Sequence, residues 1–205
     1  MAGGSNSKFP GIKALTDGKQ IASAPAQKVC IATPDYVFLI KNGGIGTSFH
    51  HTACILSEMG FDVTVLFCGL TDHLSTSLVK DATHKLSKLG ISLEFAFDSD
   101  FGDEDLDNLH PNDIFTAASY TAYQRLKDHD FDLILFPEWR GLAYYSLFAK
   151  DQGLAFRRTA IWVQTHSSSL WHALMNQQPA FAELAAKIFL MERKSTSMEE
   201  DVESP

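Results

Sequence analysis

The chain is short of cysteine, short of positive charge and without a long apolar run, and each shortage argues against a class of function. Three cysteines, Cys30, Cys54 and Cys68, stand in 205 residues. An odd number with no Cys-x-x-Cys pair argues against a disulfide framework and a zinc ribbon, so they read as buried thiols in a reducing compartment. Seventeen Lys and Arg against 25 Asp and Glu leave a formal charge of −8. No stretch gathers enough basic residues to neutralise a row of phosphates, which argues against nucleic acid as a partner. No apolar run approaches the roughly 20 residues of a membrane helix, and residues 1–27 lack a signal-peptide core. A cytoplasmic location without a membrane span is the expectation. Metal-ligand patterns are missing as well. The histidines show no His-x-x-x-His, and the acidic run from Asp98 to Asp107 has Leu109 where a calcium loop needs its twelfth-position carboxylate. No metal and no resident cofactor is expected.

What the chain does have is 45% hydrophobic residues, arranged in two periods and sufficient for one large domain with its own core. Residues 1–27 show neither period and read as a flexible tail or linker. The fold is expected to start at Lys28 and run to Pro205. Short apolar runs predict strands over 28–33, 61–67, 91–96, 131–136 and 159–165. Helical spacing predicts helices between them: Ile45, Phe49, Ala53, Leu56 and Met59 before Gly60, then Leu74 to Leu89 before Gly90, Ile114 to Leu126, and Leu142 to Lys150. A last amphipathic face runs through Phe181, Leu184, Ala185, Ile188 and Met191. Near-continuous apolar strands alternating with amphipathic helices imply an α/β fold, a doubly wound, Rossmann-like parallel sheet with helices on both faces.

In such sheets ligands sit beyond the carboxyl ends of the strands, where the winding reverses. After the first strand the chain reads Lys41-Asn-Gly-Gly-Ile-Gly46, with its glycines where the helix begins. Glycines there let backbone N–H groups approach a ligand, and the helix N-terminus favours an anion. The spacing is neither Gly-x-Gly-x-x-Gly nor a P-loop, which argues against a dinucleotide or Walker-type site. A purely structural glycine-rich helix start is the alternative. After the fourth strand come Glu138, Trp139 and Arg140. Trp139 offers a ring face to a sugar, and the alternative is a surface turn in which Glu138 pairs with Arg140 and Trp139 caps the core. After the fifth strand comes Gln164-Thr165-His166-Ser167-Ser168-Ser169, with His166 at a strand end in the crevice and serine hydroxyls behind it to orient the ring.

The Lys41–Gly46 loop, followed by Leu56-Ser-Glu-Met-Gly60-Phe-Asp-Val-Thr-Val65, resembles the Lys-x-Gly-Gly-Leu-Gly loop and the strand after it in starch and glycogen synthases. Their wider kin are the retaining glycosyltransferases of family 4. The resemblance implies half of a two-domain GT-B fold, with Lys41, Gly43, Gly44 and Gly46 against the phosphates and sugar of a nucleotide-sugar donor. It implies His166 near the reacting carbon, Glu138 as the second catalytic residue at the acceptor hydroxyls, and Trp139 and Thr165 as substrate contacts. Thr47 replaces the Asp of the synthases, which points to the broader family and away from a glucan acceptor.

The same family carries a second domain with most of the donor grip, and the ending Glu199-Glu-Asp-Val-Glu-Ser-Pro205 resembles the close of its first domain. The expectation is therefore the N-terminal, acceptor-side domain of a retaining hexosyltransferase, inactive by itself. Its implied partners are the C-terminal domain in cis, a nucleotide-sugar, and a glycan, lipid or small-molecule acceptor. The alternative is a stand-alone, non-catalytic module that binds a phosphorylated or sugar ligand.

Overall fold

Side chains alternate across a strand, and in the computed structural model of the protein that alternation divides the core in two. The structure describes residues 26–40, 43–97, 114–177 and 183–198. Five strands form one sheet: β1 (Lys28–Thr33), β2 (Asp62–Phe67), β3 (Ile91–Phe95), β4 (Leu133–Pro137) and β5 (Ala160–Gln164). Their order is β3-β2-β1-β4-β5, and every pairing is parallel. Val29 and Ile31 of β1 face α1 (Gly44–Glu58) and α2 (Thr76–Ser87), whose Phe49, Ala53, Ala82 and Leu86 are buried against them. Cys30 and Ala32 face the other way, toward α3 (Ile114–Leu126) and α4 (Tyr144–Asp151), where Ala122, Leu126 and Leu147 close the second core. The fold is thus a doubly wound, Rossmann-like parallel sheet covered on both faces.

Both helix stops that the glycines predicted are present. Gly60 and Gly90 take φ of +90° and +71° after α1 and α2, the left-handed conformation that a residue without Cβ adopts at least cost. The two edge strands depart from the expected continuous burial. β3 and β5 alternate buried with more open positions, and Trp162 of β5 is exposed, because an edge strand has a neighbour on one side only. Two helices complete the described chain: α5 (Ser169–Met175), absent from the sequence prediction, and α6 (Glu183–Met198). α5 buries only Ala173 and leaves Leu170, Trp171, Leu174 and Met175 exposed, so it has no inward apolar stripe to read.

The thiol expectation holds in part. Cys30 and Cys68 are buried, but Cys54 is half-buried on α1, with its Sγ 3.7 Å from His50 Nε2. The tail over 1–25, the acidic run over 98–113, Phe181 and the ending over 199–205 lie outside the described residues. Among the described residues no helix is long and apolar enough to cross a membrane.

Candidate active site at the carboxyl ends of β1, β4 and β5

The order β3-β2-β1-β4-β5 reverses its winding between β1 and β4, so the loops after these two strands flank the crevice where ligands of such sheets bind. The β1 loop is long but firmly packed. Tyr36 is fully buried, Leu39 nearly so, and the Leu39 and Ile40 amides both donate to the Tyr36 carbonyl, at 3.0 and 2.9 Å. Thr33 Oγ1 donates to the Asp35 carbonyl at 2.9 Å, which fixes the chain as it leaves the strand.

This loop delivers the glycines to the start of α1. Gly43 is the N-cap residue and has no side chain to cap the helix, and no acidic residue stands in the first turn. The partial positive charge of a 15-residue helix is therefore not offset by a carboxylate of its own first turn. The glycines differ in what their missing Cβ makes possible. At Gly43 and Gly44 a Cβ would meet nothing within 4 Å. At Gly46 it would lie 3.1 Å from the backbone of Asp35 and Tyr36, so this glycine serves the seating of α1 on the β1 loop. Lys41 lies outside the described residues.

His166 follows β5, and its ring is fixed from two sides. Its Nδ1 is 3.1 Å from the Gln164 carbonyl, and the ring meets Phe49 of α1 edge-on at 5.6 Å between centroids. A carbonyl only accepts, so in the neutral ring the hydrogen sits on Nδ1 and Nε2 is the acceptor. Nε2 is buried and has no hydrogen-bond partner among the described residues. Gln164 also donates to Ser48 of α1 at 3.3 Å, so the end of β5 and the first turns of α1 are tied together. The expected serine support for the ring is not what the structure shows. Ser168 caps α5 by accepting from the Trp171 amide at 3.3 Å, and Ser169 turns to Glu192. Thr165 is exposed on the strand end.

Glu138 and Trp139 sit differently from the expectations for them. Glu138 is 4% exposed, and its carboxylate accepts from the His166 backbone N–H. Its own amide donates to the Gln164 carbonyl at 3.0 Å. Burial pushes its pKa up, the His166 N–H works against that rise, and the nearby Glu192 carboxylate adds to it. Glu138 therefore braces the His166 segment from inside, and it also borders an open cleft with Ser168, Glu192 and Thr196. It does not form the surface pair with Arg140. The Arg140 guanidinium lies between two rings, 4.0 Å from the centroids of both Phe115 and Trp139, so Trp139 has one face occupied.

Sequence reasoning missed the residue that holds this turn. Arg140 has φ of 58° and Gly141 of 65°, so two consecutive left-handed residues swing the chain away from β4. For Arg140 that conformation costs roughly 1–2 kcal/mol. Glu192 of α6, 3% exposed, offsets it by accepting from the Arg140 amide at 2.8 Å, the Ser169 amide at 2.8 Å and the Ser169 hydroxyl at 2.6 Å. Three hydrogen bonds from two distant segments converge on one carboxylate. No local signal near Glu192 announces them, because their partners are 52 and 23 residues away.

No protein-family model and no curated protein matches the chain. Among solved structures, the glycotransferase of kitacinnamycin is similar at 14% identity and a TM-score of 0.42, over 80% of this chain and 38% of that one. The chain thus spans well under half the length of that transferase. The C-terminal domain of a hydrogenase from Pyrococcus furiosus is similar at 15% identity and a TM-score of 0.37, over 73% of this chain and 100% of that one. At these values neither likeness bears on activity, and the site rests on its own residues.

Proposed function

We propose that residues 28–205 form the N-terminal, acceptor-side half of a retaining glycosyltransferase that moves a sugar from a nucleotide-sugar donor to an acceptor hydroxyl. The observation that carries this reading is the meeting of two groups at the carboxyl ends of β1 and β5. One is the glycine-opened start of α1, which favours an anion. The other is His166 Nε2, a buried acceptor with no partner among the described residues. The resemblance of Lys41–Gly46 to the donor loop of starch and glycogen synthases supports the same assignment.

In the proposed reaction the bond between the anomeric carbon and the diphosphate oxygen breaks, and the acceptor oxygen bonds to the same face of that carbon. The acceptor proton passes to the departing diphosphate. The first turn of α1 faces the charge that grows on the leaving group, and His166 Nε2 accepts from a sugar hydroxyl and holds the ring as positive character develops. Gln164, Phe49 and Glu138 keep the imidazole where it is, the first two at the ring and the third through the backbone N–H. The remaining diphosphate contacts belong to a second domain.

A nucleotide-sugar transfer assay tests the division of labour. Transfer is expected from a protein in which a second α/β domain follows residue 205, and not from residues 1–205 alone. Robust transfer by residues 1–205 would overturn it, and binding of sugar phosphates without turnover in the longer protein would favour a non-catalytic module.

A further inference from the structure

On the opposite face of the sheet from α1, the carboxyl ends of β1, β2, β3 and β4 and the start of α3 border an open cleft of about 290 Å³. That volume is at the lower edge of the range for small-molecule sites. Its walls are mostly apolar, with Leu70, Phe97, Ile114, Phe115, Ala118 and Leu142 among them, and Asp35, His73 and Arg140 are the titratable side chains at the cleft. Asp35 joins it to the candidate active site. The Asp35 backbone packs against Gly46 at the start of α1, and the residue also lines the cleft. Arg140, Phe115 and Trp139 all line the cleft, with the guanidinium stacked between the two rings.

Which acceptor fits these walls follows from the cost of desolvation. A glycan brings several hydroxyls per ring, and each one buried without a partner costs about 1–3 kcal/mol. The lining of the cleft is predominantly apolar, so Asp35, His73 and Arg140 can take only a few of them. A flat apolar ring loses nothing of this kind, gains from the area it buries, and extends the stack of Phe115, Arg140 and Trp139. Resting on the glycosyl-transfer reading, we propose that this cleft binds the ring body of an apolar acceptor, a phenol or ring-bearing alcohol, and not a glycan.

The test uses the 205-residue chain with 2-naphthol and maltose as probes, following backbone amide NMR shifts. Expected is saturable binding of 2-naphthol with Kd below about 1 mM, shifts centred on Phe115, Ala118 and Leu70, and no such shifts with maltose. Filling the cleft from either wall, by Ala118→Trp on α3 or Leu70→Trp after β2, should weaken 2-naphthol binding about tenfold or more. Thermal melts of both variants show which of them is folded. Maltose shifting the cleft amides, no response to 2-naphthol, or a folded filled variant that binds as well as the parent would each overturn the proposal. The glycosyl-transfer reading fails separately: it falls if His166→Ala in the two-domain protein keeps full transfer activity, whatever 2-naphthol does.

Discussion

The two sides of the β1 loop are built from opposite materials. On the α1 side, helix N–H groups and an imidazole acceptor face a polar task. On the α3 side, the walls are mostly rings and aliphatic chains, with the stacked Arg140 guanidinium, Asp35 and His73 among them. Asp35 and the turn after β4 belong to both. On the proposed reading, the difference teaches how one crossing point can serve a charged leaving group and an apolar acceptor at once. Each needs a different environment, and the β1 loop carries residues of both, with Asp35 packed on Gly46 on one side and lining the cleft on the other.

The largest effect is expected where both sides hang on one carboxylate. Glu192→Ala leaves the half-buried Arg140 and Ser169 amides without their acceptor, at a cost of up to about 1–3 kcal/mol for each orphaned group. We expect a loss of about 3 kcal/mol or more in denaturant unfolding, with both the His166 segment and the Arg140 stack disturbed. A loss below about 0.5 kcal/mol, the scale of an ordinary surface change, would mean that the left-handed turn holds itself.

Next in size is His166, which belongs to the polar side alone. In the two-domain protein His166→Ala is expected to lower kcat by about 10²-fold with a smaller change in donor KM, the pattern of an interaction strengthened in the transition state. Binding in the apolar cleft should not change. A destabilised but fully active variant would remove His166 from the site.

How far the two sides were legible beforehand follows the same division. Strand ends and helix stops were readable because they are local: apolar runs of five or six residues, and Gly60 and Gly90 at their left-handed positions. The prediction placed His166 and the Gly43–Gly46 loop beyond β5 and β1 by the rule for open sheets, and the structure has them there. The apolar cleft was not readable, since its walls come from five separate segments that only the fold assembles. The burial of Glu138 was not readable for a related reason. Its burial depends on α6, far along the chain, while its neighbours in sequence suggest an exposed polar turn.

Gly44 and Gly46 sharpen the comparison within a single helix turn. Gly46→Ala puts a Cβ 3.1 Å from the backbone of Asp35 and Tyr36, so we expect a loss of about 1–2 kcal/mol as α1 shifts off the loop. At Gly44 an added Cβ meets no atom within 4 Å, so Gly44→Val should leave the thermal melt within a few degrees of the parent. Yet it should abolish transfer in the two-domain protein, if the backbone there approaches the donor. Unfolding by Gly44→Val would make this glycine structural like its neighbour.

The smallest effect tests the brace between the two sides. Burial first, and the Glu192 carboxylate with it, hold the Glu138 pKa above the ordinary glutamate value, against the pull of the His166 N–H. A raised pKa means that the native state binds this proton more tightly than the unfolded chain does. The stability that Glu138 contributes is then fully present below the unfolded glutamate pKa and is lost as pH rises through the folded one. At neutral pH the charged carboxylate therefore costs stability. Glu138→Gln removes the charge while its amide oxygen still accepts from the His166 N–H. The variant should melt slightly higher than the parent at pH 7, and the gap should close as pH falls to the unfolded glutamate value. Parallel melts at pH 7 and pH 4 read this directly. A variant that melts lower than the parent at pH 7 would show that the ionised carboxylate is the stabilising form, held by more than the one N–H.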